Sequence, residues 1–270
     1  MASKDNVIGK IGDAVTYCRK YKYKNFIFRG QNKYSSWKLE PKIQRKEFKN
    51  FKDKEEEIFS VFMKSLRVEH LPFHGPNFSI EDFASGQWLS LMQHYGLPTR
   101  LLDWTLDFHV ALFWSCYNGF CCKCDEDSSL YALNAYALYE KIWKNDVLKV
   151  NEFAPDVPPF YNFPWQRYEC FLKNSSSAKD VVVPISPLVP NEREFIQQGV
   201  FTVSNNIGKV QDGIIKELGL EEDDFSQIRI LKEVRKEILS YLKESYGLES
   251  KYLYYPIRYL ARKIEREFRN

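Results

Sequence analysis

The run from Gln93 to Thr105, QHYGLPTRLLDWT, gathers an imidazole (His94), a guanidinium (Arg100), a carboxylate (Asp103) and the hydroxyls of Thr99 and Thr105 around one glycine and one proline. Leu97, Leu101, Leu102 and Trp104 are threaded between them. A core segment would not need polar groups of such different chemistry, and a surface loop would not need those apolar residues. The mixture predicts a half-buried, rigid segment whose polar groups are held in place, as a binding or catalytic site requires. The competing reading is a structural turn whose polar groups are paired for stability.

A second cation stands far upstream. Phe26-Ile27-Phe28-Arg29-Gly30-Gln31 reads as a short apolar strand ending in a guanidinium, followed by a residue free to turn sharply. Trp37-Lys38-Leu39-Glu40-Pro41 and Arg45 follow it, and further along come Ala111-Leu112 and Gln197-Gln198-Gly199-Val200-Phe201. Taken together, these pieces resemble the FRG domain family over roughly residues 25 to 205. The long central run is the specific part of the likeness. The fit departs at Phe113-Trp114-Ser115, where smaller residues are usual, and in the cysteine-rich insert beyond.

The end of the FRG strand also resembles some ADP-ribosyltransferases, in which an Arg-Gly pair closes the first core strand and the guanidinium clamps the pyrophosphate of NAD. A planar fork with five donors suits two-point contact with phosphate oxygens. On this resemblance Arg29 is the anion clamp, Gly30 lets the backbone approach the ligand, and Gln31, Thr99 and Arg100 complete the nucleotide-binding set. His94, Asp103 and Gln198 form the expected catalytic set. Such transferases use a glutamate to stabilise an oxocarbenium-like centre. Here Gln197 and Gln198 stand beside the strand, and Glu194 is the nearest upstream acid. Either Asp103 supplies the charge, or the site binds without transfer chemistry. Arg100 and Asp103 could instead form a buried structural ion pair. The implied function is a nucleotide-binding, NAD-consuming protein of a toxin or antiphage system, with a macromolecular acceptor that the residues do not identify. The alternative is a non-enzymatic nucleic-acid-binding or protein-interaction module, for which the basic and aromatic stretches Tyr17–Lys24 and Lys251–Arg269 are candidates.

Composition sets outer bounds. The 270 residues are 44% hydrophobic and 16% aromatic, enough for a sizeable core, and the net charge of +3 neither demands nor excludes nucleic acid. MASKDNVIGK has no apolar core of a secretory signal, and no run of about 18 apolar residues occurs, so a cytoplasmic protein with no membrane partner is expected. Of the six cysteines, Cys116, Cys121, Cys122 and Cys124 are clustered, but their spacing is not that of a zinc ribbon or knuckle, and no metal is expected. No phosphate-cradling loop or nucleophile elbow is present.

Helices are expected over residues 7–21, from Phe51 to about Glu69, and from a capping box at Ser79–Asp82 up to His94. Thr105 reads as the N-cap of a buried helix over Phe108–Tyr117. Strands are expected at 25–29, 129–134, 181–183 (ended by Pro184) and 200–203, with a helix over 135–144. Residues 154–165 read as a proline-rich loop, and the tail reads as mostly helical. The fold class that follows is α+β: a mixed or antiparallel central sheet surrounded by helices, with a helical C-terminal extension. Residues 1–205 would form the FRG domain with its N-terminal helix. Residues 206–270 would be the extension, packed on the same domain.

Overall fold

The computed structural model describes residues 6–22, 24–65, 85–117, 126–144, 179–186 and 192–254. Its centre is a seven-stranded mixed sheet, joined by helices on both faces, as an α+β chain requires. In chain order the strands are β1 (Val7–Ile8), β2 (Phe26–Gln31), β3 (Leu101–Thr105), β4 (Ser128–Asn134), β5 (Val182–Ile185), β6 (Gly199–Ser204) and β7 (Phe225–Ile230). They lie in the order β1-β7-β4-β2-β3-β6-β5. The β1–β7 pair is parallel, and every other pairing is antiparallel.

The helices of the first half are α1 (Ile11–Tyr21), α2 (Lys49–Lys52), α3 (Glu55–Ser65), α4 (Ser85–His94) and α5 (Phe108–Cys116). Further along come α6 (Ala135–Lys144), α7 (Glu192–Ile196), α8 (Gln211–Glu217), α9 (Arg235–Tyr246) and α10 (Ser250–Tyr254). Strand alternation assigns two cores. Ile27, Leu102, Trp104 and Leu133 belong to one. Phe26, Phe28, Leu130 and Ala132 belong to the other, together with Val110, Ala111 and Leu112 of α5. Helix α5 is apolar on nearly every side because it is sandwiched between β2 and α9. Arg235 finishes it by donating to the buried carbonyl of Cys116 (3.2 Å), an end group without a helical partner that a cation suits.

Four local readings need correction. Val7 and Ile8, expected inside the first helix, form β1 beside β7, and the helix begins at Ile11. Asp107, not Thr105, is the N-cap of α5: its carboxylate accepts from the amides of His109 (2.7 Å) and Val110 (3.4 Å). Thr105 remains in β3, where its hydroxyl accepts from the Asp107 amide at 3.0 Å. Pro184 does not stop its strand but lies inside β5, paired with Thr202. β5 is the edge of the sheet, and a missing N–H is tolerated on the side that has no neighbour. The segment after residue 205 also contributes β7, which lies between β1 and β4. The capping box at Ser79–Asp82, the loop at 154–165, the cysteines at 121, 122 and 124, and the tail from residue 255 on lie outside the described residues.

Candidate functional site

Strands β2 and β3 share only the start of a ladder. Phe28 pairs with Thr105, after which β2 follows β4 as far as Gln31–Ser129 while β3 follows β6 as far as Leu101–Val203. The central sheet is therefore notched, and the notch opens into a cleft of about 380 Å³. Its walls come from β2, β3 and β6, from α4 and α5, and from α7 with the turn after it.

Arg29 spans the notch. Its Nη1 donates to the main-chain carbonyl of Asp103 at 2.6 Å and lies 4.0 Å from the Asp103 carboxylate. Its Nε is buried and has no acceptor among the described residues. Burial lowers the Arg29 pKa; the Asp103 carboxylate opposes that shift, and Arg45 reinforces it. A guanidinium stays charged in a protein, so the direction of this shift reflects incomplete compensation of a desolvated cation and not neutralisation. Asp103 compensates weakly because its side chain is 68% exposed and shares its charge with water.

Asp103 is in turn oriented from behind. Gln93 Nε2 donates to its carboxylate at 2.7 Å, and the Thr99 hydroxyl donates to the Gln93 side-chain oxygen. Thr99 is fully buried, and its own carbonyl accepts from Ile43. Thus the sequence run is a relay that fixes one carboxylate opposite one guanidinium.

Of the expected residues, Arg29, Gly30, His94 and Asp103 line the cleft, while Gln31, Thr99, Arg100 and Gln198 do not. Arg100 is not a second anion contact. It is buried against Glu55 of α3, with Nε 3.0 and 2.8 Å from the two carboxylate oxygens, and its Nη1 donates to the Ser204 carbonyl. Nor is Asp103 the partner in that pair. Gln31 is buried and donates to the Lys38 carbonyl at 3.2 Å. Gln198 is in the turn before β6, in a left-handed conformation (φ 47°), and its carbonyl accepts from Leu106. Its neighbour Gln197 lines the cleft instead. Gly30 is on the cleft wall, but a Cβ there would meet α5, not a ligand.

Sequence reasoning did not place Ser90, Asn32, Trp114, Arg193 or Glu194 in the site, yet all line it. Ser90 Oγ donates to the Glu194 carboxylate at 2.5 Å and holds a second acid at the cleft. One signal was available: Ser90, Gln93 and His94 have the spacing that puts side chains on one helix face. The approach of α7 to α4 had no local signal.

Partial desolvation of the His94 ring at the mouth of the cleft, with Arg193 adding to it, lowers its pKa below the ordinary 6.5 although the residue stays largely exposed. The neutral imidazole is thus favoured in the folded chain, while the unfolded chain takes up its proton at a higher pH. Stability is unaffected above the unfolded value and falls as the pH drops through it towards the folded value. The unfolding midpoint of the wild type should fall more between pH 7 and 5 than that of His94→Gln, as read by thermal denaturation across that range. Parallel pH curves for the two proteins would refute this assignment.

Residues 24–120 match the FRG domain. The FRG match covers less than half of the chain and stops short of residue 205, but it contains β2, α4, β3 and α5, and so both Arg29 and Asp103. Glu194, Gln197 and the rest of the β6 side lie beyond it. No curated protein and no solved structure matches the chain. Among the described residues, no cluster of His, Cys, Asp or Glu is arranged to hold a metal ion, and no helix is long and apolar enough to cross a membrane.

Proposed function

We propose that the FRG cleft binds an anionic nucleotide, NAD, and that the chain carries out an ADP-ribosyltransferase-like reaction on a macromolecular acceptor. The observation that carries this reading is Arg29: a mostly buried guanidinium at the notch whose Nε has no acceptor among the described residues, with a solvent-facing carboxylate as its countercharge there. An anion entering the cleft supplies the missing compensation, and a fork geometry favours phosphate oxygens. Trp114 provides an aromatic surface in the same cleft. Asp103 and Glu194 offer negative charge where a ribosyl centre would become positive. A cytoplasmic toxin or antiphage role rests on family-level analogy alone.

The test is nicotinamide release and protein modification with labelled NAD, alongside calorimetric binding. Arg29→Lys keeps the charge and loses the fork. Its turnover should fall at least tenfold, about 1.4 kcal/mol of transition-state stabilisation, with little change in unfolding midpoint. Asp103→Asn and Glu194→Gln, run beside it, identify which acid contributes: the one that matters loses turnover by a similar factor. If the wild type binds no NAD, or Arg29→Lys consumes it at the wild-type rate, the reading fails. A gel shift of single-stranded nucleic acid in that event would support the non-enzymatic alternative.

A further inference from the structure

On the other side of Phe28 from the first cleft lies a second cavity, of about 630 Å³, between α1, α5 and α9. Cys18 of α1 and His109 of α5 meet in it, their Sγ and Nε2 atoms 3.6 Å apart, though the residues are 91 positions apart in sequence. The other imidazole nitrogen, Nδ1, is 3.3 Å from the carboxylate of Asp107. The Tyr246 ring lies over the imidazole, with centroids 4.0 Å apart and planes tilted by 31°. Arg19, Lys22 and Lys24 line the same cavity.

This is the arrangement of an assisted nucleophile: a thiol, a base within reach of its proton, and a carboxylate that orients the base. The N-cap role of Asp107 matters here. Main-chain amides of His109 and Val110 anchor its carboxylate, so the group that orients the imidazole is itself fixed. Those bonds, with the His109 ring, hold the Asp107 pKa below the usual carboxylate value although burial opposes them. An ionised Asp107 favours the proton on Nδ1 and leaves Nε2 as the acceptor facing Cys18. Helix packing alone would not require a carboxylate, an imidazole and a thiol to fall in line beside a cavity.

We propose that Cys18, His109 and Asp107 form a second site, in which Cys18 is an acyl-accepting nucleophile for activated esters or thioesters bearing an aromatic or apolar group. Phe26, Phe108 and Leu112 supply the apolar wall such a group would meet. Burial and the Asp107 carboxylate raise the Cys18 pKa, against Lys22 and Arg19, so the resting group is a thiol. The thiolate forms only during attack. As Sγ bonds to the acyl carbon, the thiol proton passes to His109 Nε2. The bond from the acyl carbon to the leaving oxygen or sulfur then breaks, and the proton departs with that group or returns to water. The product is a thioester on Cys18, and neither oxidant nor reductant is needed.

The probe is p-nitrophenyl acetate with the full chain at neutral pH. The expected result is a burst of nitrophenolate of about one equivalent per chain, with the acetyl group mapped by peptide mass to Cys18. Cys18→Ala should abolish the burst. His109→Gln, with an unchanged unfolding midpoint, should slow it at least tenfold, at the low end of what a positioned base contributes. The map needs no variant: acetylation of other residues with Cys18 left free overturns the proposal. So does a folded His109→Gln protein that is acetylated at the wild-type rate.

Discussion

Gly30→Ala is expected to cost the chain most or all of its folded state. A Cβ at that position would stand 2.1 Å from the carbonyl oxygen of Ala111, 2.4 Å from the amide nitrogen of Ser115 and 2.7 Å from the Ser115 hydroxyl. Two of these three atoms belong to the α5 backbone, so no rotamer change relieves the clash. Helix α5 would have to move away from β2, and α5 is the buried helix that joins the sheet to α9. Ordinary overpacking costs about 1–3 kcal/mol, and here the backbone itself must shift, so the loss is expected at or above the top of that range. A typical domain has only about 5–15 kcal/mol to lose. The measurement is soluble yield and the denaturant midpoint. Gly96→Ala makes the comparison: Gly96 has φ 89° and open space around it, so it should cost only about 1–2 kcal/mol of backbone strain. Equal midpoints for Gly30→Ala and the wild type would mean that α5 does not rest on β2 as described. The glycine of the FRG triplet is therefore a packing requirement.

Glu55→Ala is expected to destabilise the chain by about 3–5 kcal/mol, because it strands the buried Arg100 guanidinium without its counterion. Glu55 and Arg100 are each over nine-tenths buried, and the guanidinium engages both carboxylate oxygens. At the scaling of domains of roughly this size, about 2–4 °C per kcal/mol, the loss corresponds to roughly 6–20 °C in unfolding midpoint. Replacing both partners, as Glu55→Leu with Arg100→Met, should recover much of it, since removing the pair together leaves no buried charge unpaired. A drop of less than about 1 kcal/mol in Glu55→Ala would show the pair to be hydrated. The Arg29 cleft provides a second readout. Arg100 points away from it, so a ligand that binds through Arg29 should bind the folded double variant with the affinity of the wild type.

Part of the candidate cleft, Arg29, Gly30, His94 and Asp103, was legible from residue types because its requirements are local. An apolar strand ending in Arg-Gly is visible as FIFRGQ, and the relay from Thr99 through Gln93 to Asp103 lies within one short run. The buried character of α5 follows from its unbroken apolar composition. Even β7, read as part of a helical tail, carried a signal in FSQIRI, whose Ile228 and Ile230 alternate with polar residues and are buried.

The roles of the charged groups were decided by tertiary structure. Arg29 and Arg100 are both cations beside apolar residues, and nothing local says which is neutralised by a buried acid. The difference is that α3 brings Glu55 to Arg100, while the parting of β2 from β3 leaves Arg29 at the notch with a partly satisfied fork. Glu194 and Ser90 meet only because α7 approaches α4, and Cys18 meets His109 only because α1 and α5 share one face of the sheet. Residue type thus determined that cations, acids and a thiol were present at the ends of apolar elements. Which charge is neutralised, which carboxylate faces solvent and which thiol meets a base depend on contacts between residues tens of positions apart, set by the packing of helices on the sheet.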